Sequence, residues 1–133
     1  MIMINTKIKY INCSEFDKEL KQLSKKYKSI YDDFFAFKLF LKTIIENWQD
    51  IESYNIVQIN WLWKDFILPV YKVRKFTCQS LKSDKKLRLI FTYDKTSWEI
   101  QFIEFLEIYA KADKEVENRD RIKKYLSWKD HIE

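Results

Sequence analysis

The sequence predicts an α+β fold, with an N-terminal strand and a helical hairpin packed on a small antiparallel sheet and a helix closing the chain. Three observations predict it: a short alternating segment at the start, two successive helical apolar stripes, and three strand-like segments after the single proline, Pro69. With 133 residues, the chain is long enough for one hydrophobic core and too short for two ordinary domains, so residues 1–133 read as a single domain.

Lys7 to Ile11 reads as the first strand, with Ile8 and Tyr10 on one face and Lys9 on the other. A helix start follows, where Asn12 with Glu15, or Ser14 with Asp17, has capping-box spacing. Phe16, Leu20, Leu23 and Tyr27 then recur at spacings of four, three and four, which makes one apolar stripe. A second helix is predicted from about Ile30 to Trp48, burying Phe34, Phe37, Leu41, Ile44, Ile45 and Trp48, with Phe35 and Phe40 widening the stripe. Two amphipathic helices in succession are stable only against a common surface, hence the hairpin on a sheet.

Residues 51–69 are apolar without a clean period and read as an ordered crossing segment with a short strand or helical turn. Trp61 and Trp63 either close one end of the core or, if exposed, mark a partner contact. Val70 to Cys78, Leu87 to Tyr93 and Ile100 to Tyr109 are bounded by polar turns and predict an antiparallel meander. In the last of these both alternating sets are largely apolar, which places it centrally with cover on at least part of both faces. Asp113 to Lys129 is charged but periodic through Val116, Ile122 and Leu126, with Trp128 beside that face, and predicts the closing helix.

Composition narrows the function. Glycine is absent, which removes glycine-rich phosphate cradles and dinucleotide fingerprints together with the chemistry they serve. Cys13 and Cys78 lack metal-knuckle spacing and read as buried thiols; neither a metal nor another cofactor is expected. The opening residues alternate instead of forming a leader, and no apolar run is long enough to span a membrane, so a cytoplasmic location without membrane association is expected.

The net charge of +5 is concentrated: between Lys72 and Arg88, seven cations stand against one acid, Asp84. Focusing of this kind favours an anionic partner. In Tyr71-Lys72-Val73-Arg74, alternation puts Lys72 and Arg74 on one face, about 7 Å apart, near the spacing of successive phosphates on a single strand. Arg88 opens the next strand, and Lys111 and Lys114 follow the one after it, so adjacent strands would gather five cations. Lys75 and the loop lysines Lys82, Lys85 and Lys86 add attraction around them. Glu104 and Glu107 fall on opposite faces by simple alternation and, with Glu99, read as salt-bridged surface carboxylates.

The order of these motifs resembles the RelE/ParE superfamily of type II toxin–antitoxin toxins. The resemblance rests on Tyr71-Lys72-Val73-Arg74, on Leu87-Arg88-Leu89-Ile90-Phe91, and on Ile108-Tyr109-Ala110-Lys111-Ala112-Asp113-Lys114, preceded by a short strand and a helical hairpin. It covers most of the chain except residues 51–69. It implies the toxin component of such a system, a RelE-like mRNA interferase that cleaves mRNA at the ribosome by 2′-hydroxyl attack, leaving a 2′,3′-cyclic phosphate. On that implication Arg88 stabilises the transition-state charge and Arg74 and Lys72 clamp neighbouring phosphates. Tyr109 and Tyr125 are the available phenols, and Lys75, Lys82, Lys111 and Lys114 hold RNA. The chain departs from many RNase members in having no Tyr or His immediately after Lys114; its single histidine, His131, lies two residues from the end. The resemblance also implies a cognate antitoxin as partner. Its gyrase-poisoning branch, and a non-catalytic nucleic-acid or protein-binding module on the same fold, are the alternatives it leaves open.

Overall fold

The structure is a computed structural model that describes residues 7–60, 68–76, 87–95, 99–111 and 113–132. Strand β1 (Lys7–Asn12) leads to helices α1 (Ser14–Ser24) and α2 (Ile30–Glu46), a 3-10 turn (Ile51–Ser53) and a short strand β2 (Ile56–Gln58). Strands β3 (Val70–Phe76), β4 (Leu87–Asp94) and β5 (Ile100–Ala110) follow, then helix α3 (Arg119–Ile132). The α+β class is as the sequence predicts. The sheet is mixed, in the order β1-β5-β4-β3-β2: the meander is antiparallel, while β1 pairs with β5 in parallel. Residues 51–69 contribute both the turn and the strand, with Ile56 opposite Val73; Trp61 and Trp63 lie outside the described residues.

Helices α1 and α2 cover one face of the sheet. Phe16, Phe34 and Phe105 meet there with ring centroids 4.7 to 5.5 Å apart, and Phe91 extends the group toward Tyr71. Phe16, Leu20 and Tyr27 are buried as their stripe predicts, and Leu23 packs against them half-buried. The expected capping box does not form: Cys13 occupies the N-cap, Asn12 donates to Asp17 and Ser14 to Glu15. Cys13 itself is half-buried, and its thiol is pushed up to about 11 by burial and then by Glu104. Cys78 lies outside the described residues.

The stripe of α2 is narrower than expected. Phe34, Leu41 and Ile44 are buried, while Phe35, Phe40 and Trp48 are exposed. Trp48 leaves the stripe because the helix has already ended. Gln49 N–H donates to the Ile44 carbonyl and Trp48 N–H to that of Ile45, and Trp48 has φ 58°. These are the bonds of a Schellman motif, whose left-handed position glycine usually fills. A chain without glycine puts Trp48 there, and uses Asn55, φ 60°, for the next such turn.

The opposite face carries a smaller core of Ile59, Val70, Ile90, Leu106, Tyr109, Ile122 and Leu126, the last two from α3. As predicted, β5 is covered on both faces. One departure from alternation has large effects: the register shifts between Ile90 and Phe91, which pair with Glu107 and Phe105, so Leu106 is an extra residue in β5. Such a bulge reverses the facing of everything beyond it. Ile103, Phe105 and Ile108 all join the α1/α2 core, which puts Glu104 and Glu107 together on the α3 face, against the expectation from simple alternation. Helix α3 begins at Arg119, six residues later than predicted, because residues 113–118 fold back over the end of β5 and Asn118 Oδ1 accepts from Arg121 N–H. Val116 is therefore exposed and outside the helix.

Phe105 touches both helices and β4 through its ring, so Phe105→Ala should lower unfolding free energy by about 3–5 kcal/mol in urea denaturation.

Candidate anion site on the α3 face

Four residues that the sequence marks as basic or phenolic come together on the α3 face: Lys72 on β3, Arg88 on β4, Tyr109 on β5 and Lys114 in the turn after it. Lys72 stands directly across from Ile90, a member of the α3-side core, and Arg88 directly across from Tyr109. Lys114 returns to the strand because its N–H and that of Asp113 both donate to the Ala110 carbonyl, closing a tight turn. Its ammonium then lies over the Tyr109 ring at 4.9 Å and binds the Glu107 carboxylate.

Two carboxylates are built into this cluster. Glu107, fully buried, accepts from Lys114 and, at 2.8 Å, from Asn118 N–H, so it holds the returning segment in place. Glu117, nearly as buried, accepts from Lys72 Nζ at 2.9 Å. A carboxylate at such depth needs a cation or several donors to offset its lost hydration, and both have one. Glu104 is held in the same way by Lys129 of α3 at 2.6 Å.

Within this group Lys72, Arg88 and Lys114 face Glu107 and Glu117, three positive charges against two negative. Lys72 and Lys114 take the two carboxylates. Arg88 makes no ion pair among the described residues, and its Nη1 is buried without a hydrogen-bond partner. The Tyr109 hydroxyl beside it is buried and likewise has no hydrogen-bond partner among the described residues. Burial pushes the Tyr109 phenol well above its ordinary value, Glu117 and Glu107 add to this, and Arg88 acts weakly in the opposite direction. That phenol is a proton-bearing donor at neutral pH and not a base. A buried guanidinium nitrogen and a buried hydroxyl on neighbouring strands, both lacking acceptors, suit an oxyanion.

The remaining basic positions are placed differently. Arg74 is exposed on β3 where the register shifts between Val73 and Phe76, so the alternation that paired it with Lys72 is interrupted there. Lys111 is exposed in the turn after β5. Lys75 belongs to β3 but its side chain lies outside the described residues, as does Lys82 altogether. Sequence reasoning missed Glu117 and misplaced Glu107. Glu117 bonds to a lysine 45 positions away, a pairing without any local signal, and Glu107 reaches this face through the bulge.

This charge balance makes a prediction. Glu117→Gln removes one of the two carboxylates, so binding of a single-stranded oligonucleotide should tighten and its log–log salt slope should steepen by about one. Fluorescence anisotropy across a salt series measures both. Comparison of the chain with family models, curated proteins and solved structures returns no match.

Proposed function

We propose that this protein is the toxin component of a type II toxin–antitoxin system, a metal-independent endoribonuclease acting on mRNA at cytoplasmic ribosomes, with a cognate antitoxin as its partner. The observation that carries the reading is Arg88, which among the described residues of the α3-face cluster has no carboxylate partner, set beside a protonated Tyr109. The motif order described above supplies the reaction class.

In the proposed reaction a ribose 2′-oxygen attacks the adjacent phosphorus and the 5′-oxygen leaves, giving a 2′,3′-cyclic phosphate and a 5′-hydroxyl. Arg88 would bind the non-bridging oxygens, whose charge grows in the transition state; a preorganised donor in a site sheltered from water is most effective there. The Tyr109 hydroxyl would donate to the same phosphate or to the leaving oxygen. The proton acceptors that the cluster contains are Glu107 and Glu117, each already bound to a lysine. Arg74 and Lys111, exposed at the margins, would guide the neighbouring backbone.

One observation favours a second reading. Lys72 and Lys114 are held by glutamates, which among the described residues of the cluster leaves fewer free cations for a multi-phosphate clamp and suits a non-catalytic binding module or a toxin directed at a topoisomerase.

Ribosome-dependent cleavage of a defined mRNA, with the new ends mapped, separates the two. The nuclease reading predicts discrete cuts bearing cyclic phosphates, reduced about 10²–10³-fold by Arg88→Ala. Intact mRNA with folded wild-type protein, on ribosomes that a control toxin shows to be competent, would reject it in favour of the binding reading.

A further inference from the structure

We propose that the outer face of α2 is a self-complementary seam through which two copies of this chain associate. The face is apolar where a solvated helix would be polar: Tyr31, Phe35 and Leu39 are 51%, 59% and 50% exposed, and Phe40 beside them is 39% exposed. Tyr31, Phe35 and Leu39 lie on the side of the helix turned away from the buried Phe34, Leu41 and Ile44, remote from the α3 face, while the Phe40 ring sits on the helix flank against Tyr54. An exposed aromatic and aliphatic row on a single helix marks an association surface.

The residues flanking that row select the occupant. Lys28, Asp32, Phe35, Leu39, Lys42 and Glu46 follow one another at spacings of four and three, the seam of an antiparallel helix pair, and all six are exposed. Lys28 sits in the turn just before α2, and the other five are on the helix. A twofold axis passing the helix at position 37 sets Phe35 against Leu39 of the second copy, Asp32 against its Lys42, and Lys28 against its Glu46. Every charge on the seam then meets its opposite, and each pairing occurs twice. Isologous contacts have this property, in which the same patch serves both partners. The seam's order of charges, cation and acid at one end, cation and acid at the other, is antisymmetric about the apolar centre, so a parallel pairing in the same register would set like charges together.

The contact is one helix long, at the small end of stable interfaces, so the expected dimer is weak, with a Kd on the order of 10–100 μM. Sedimentation equilibrium of the purified full chain, up to about 0.5 mM to exceed that Kd, tests it. The wild type should show a reversible monomer–dimer equilibrium. Asp32→Lys should weaken it about tenfold or more by setting two like-charge contacts across the axis, and the double variant Asp32→Lys with Lys42→Asp should restore it. Circular dichroism checks that these exposed substitutions leave the fold intact. A wild-type chain that stays monomeric throughout the range would overturn the proposal, whether or not another protein covers the face. So would a dimer indifferent to the single swap, or one that the double swap fails to restore.

Discussion

The architecture depends on how β5 is closed along its edge. Strand β1 accompanies β5 only to Phe105, where Cys13 N–H makes the last backbone bond. Beyond that point side chains take over. Arg121 of α3 donates to the Leu106 carbonyl, Glu19 of α1 accepts from Ile108 N–H, and the two side chains bind each other through paired bonds of 2.9 Å. The extra residue in β5 is Leu106, so the same contacts that satisfy the bulge also tie the helix on one face of the sheet to the helix on the other. A bulge left with open carbonyl and amide groups would be costly inside the fold; bridged in this way it is stable and fixes a register.

That register determines the chemistry. Because facing reverses at Leu106, Glu107 and Tyr109 point toward α3 and meet Lys72, Arg88 and Lys114 there. Glu107 then gathers Lys114 and Asn118, the returning segment delivers Glu117 to Lys72, and α3 can begin only after this segment is complete. A single inserted residue thus accounts for the late start of α3 and for the pairing of two lysines with buried carboxylates. Among the described residues, Lys72, Arg88 and Lys114 share the α3 face with Glu107 and Glu117, so cations and carboxylates are interleaved there.

What the sequence displayed were the features that local physics governs. Period 3.6 located α1 and α2, period 2 located β1 and the meander, and the doubly apolar pattern of β5 identified the central strand. Trp48 was illegible because its place follows from a backbone requirement for positive φ in a chain with no glycine to meet it. The common facing of Glu104 and Glu107 was illegible because it depends on a bulge, and a bulge leaves the residue types of the strand unchanged. The Lys72–Glu117 pair joins distant segments and has no sequence periodicity at all. The candidate site was therefore readable as a set of cations and unreadable as a balance of charges.

Anion binding by Arg88 on the α3 face, as proposed, is open to side-chain nitrogen NMR. Titration with a short RNA carrying a 2′-deoxy substitution, which blocks cleavage, should shift the Arg88 guanidinium and the Tyr109 ring together and saturably, with smaller effects at Lys72 and Lys114. Saturable shifts confined to Arg74 and Lys111, with Arg88 and Tyr109 unmoved, would show that nucleic acid meets only the exposed margin and would contradict the account.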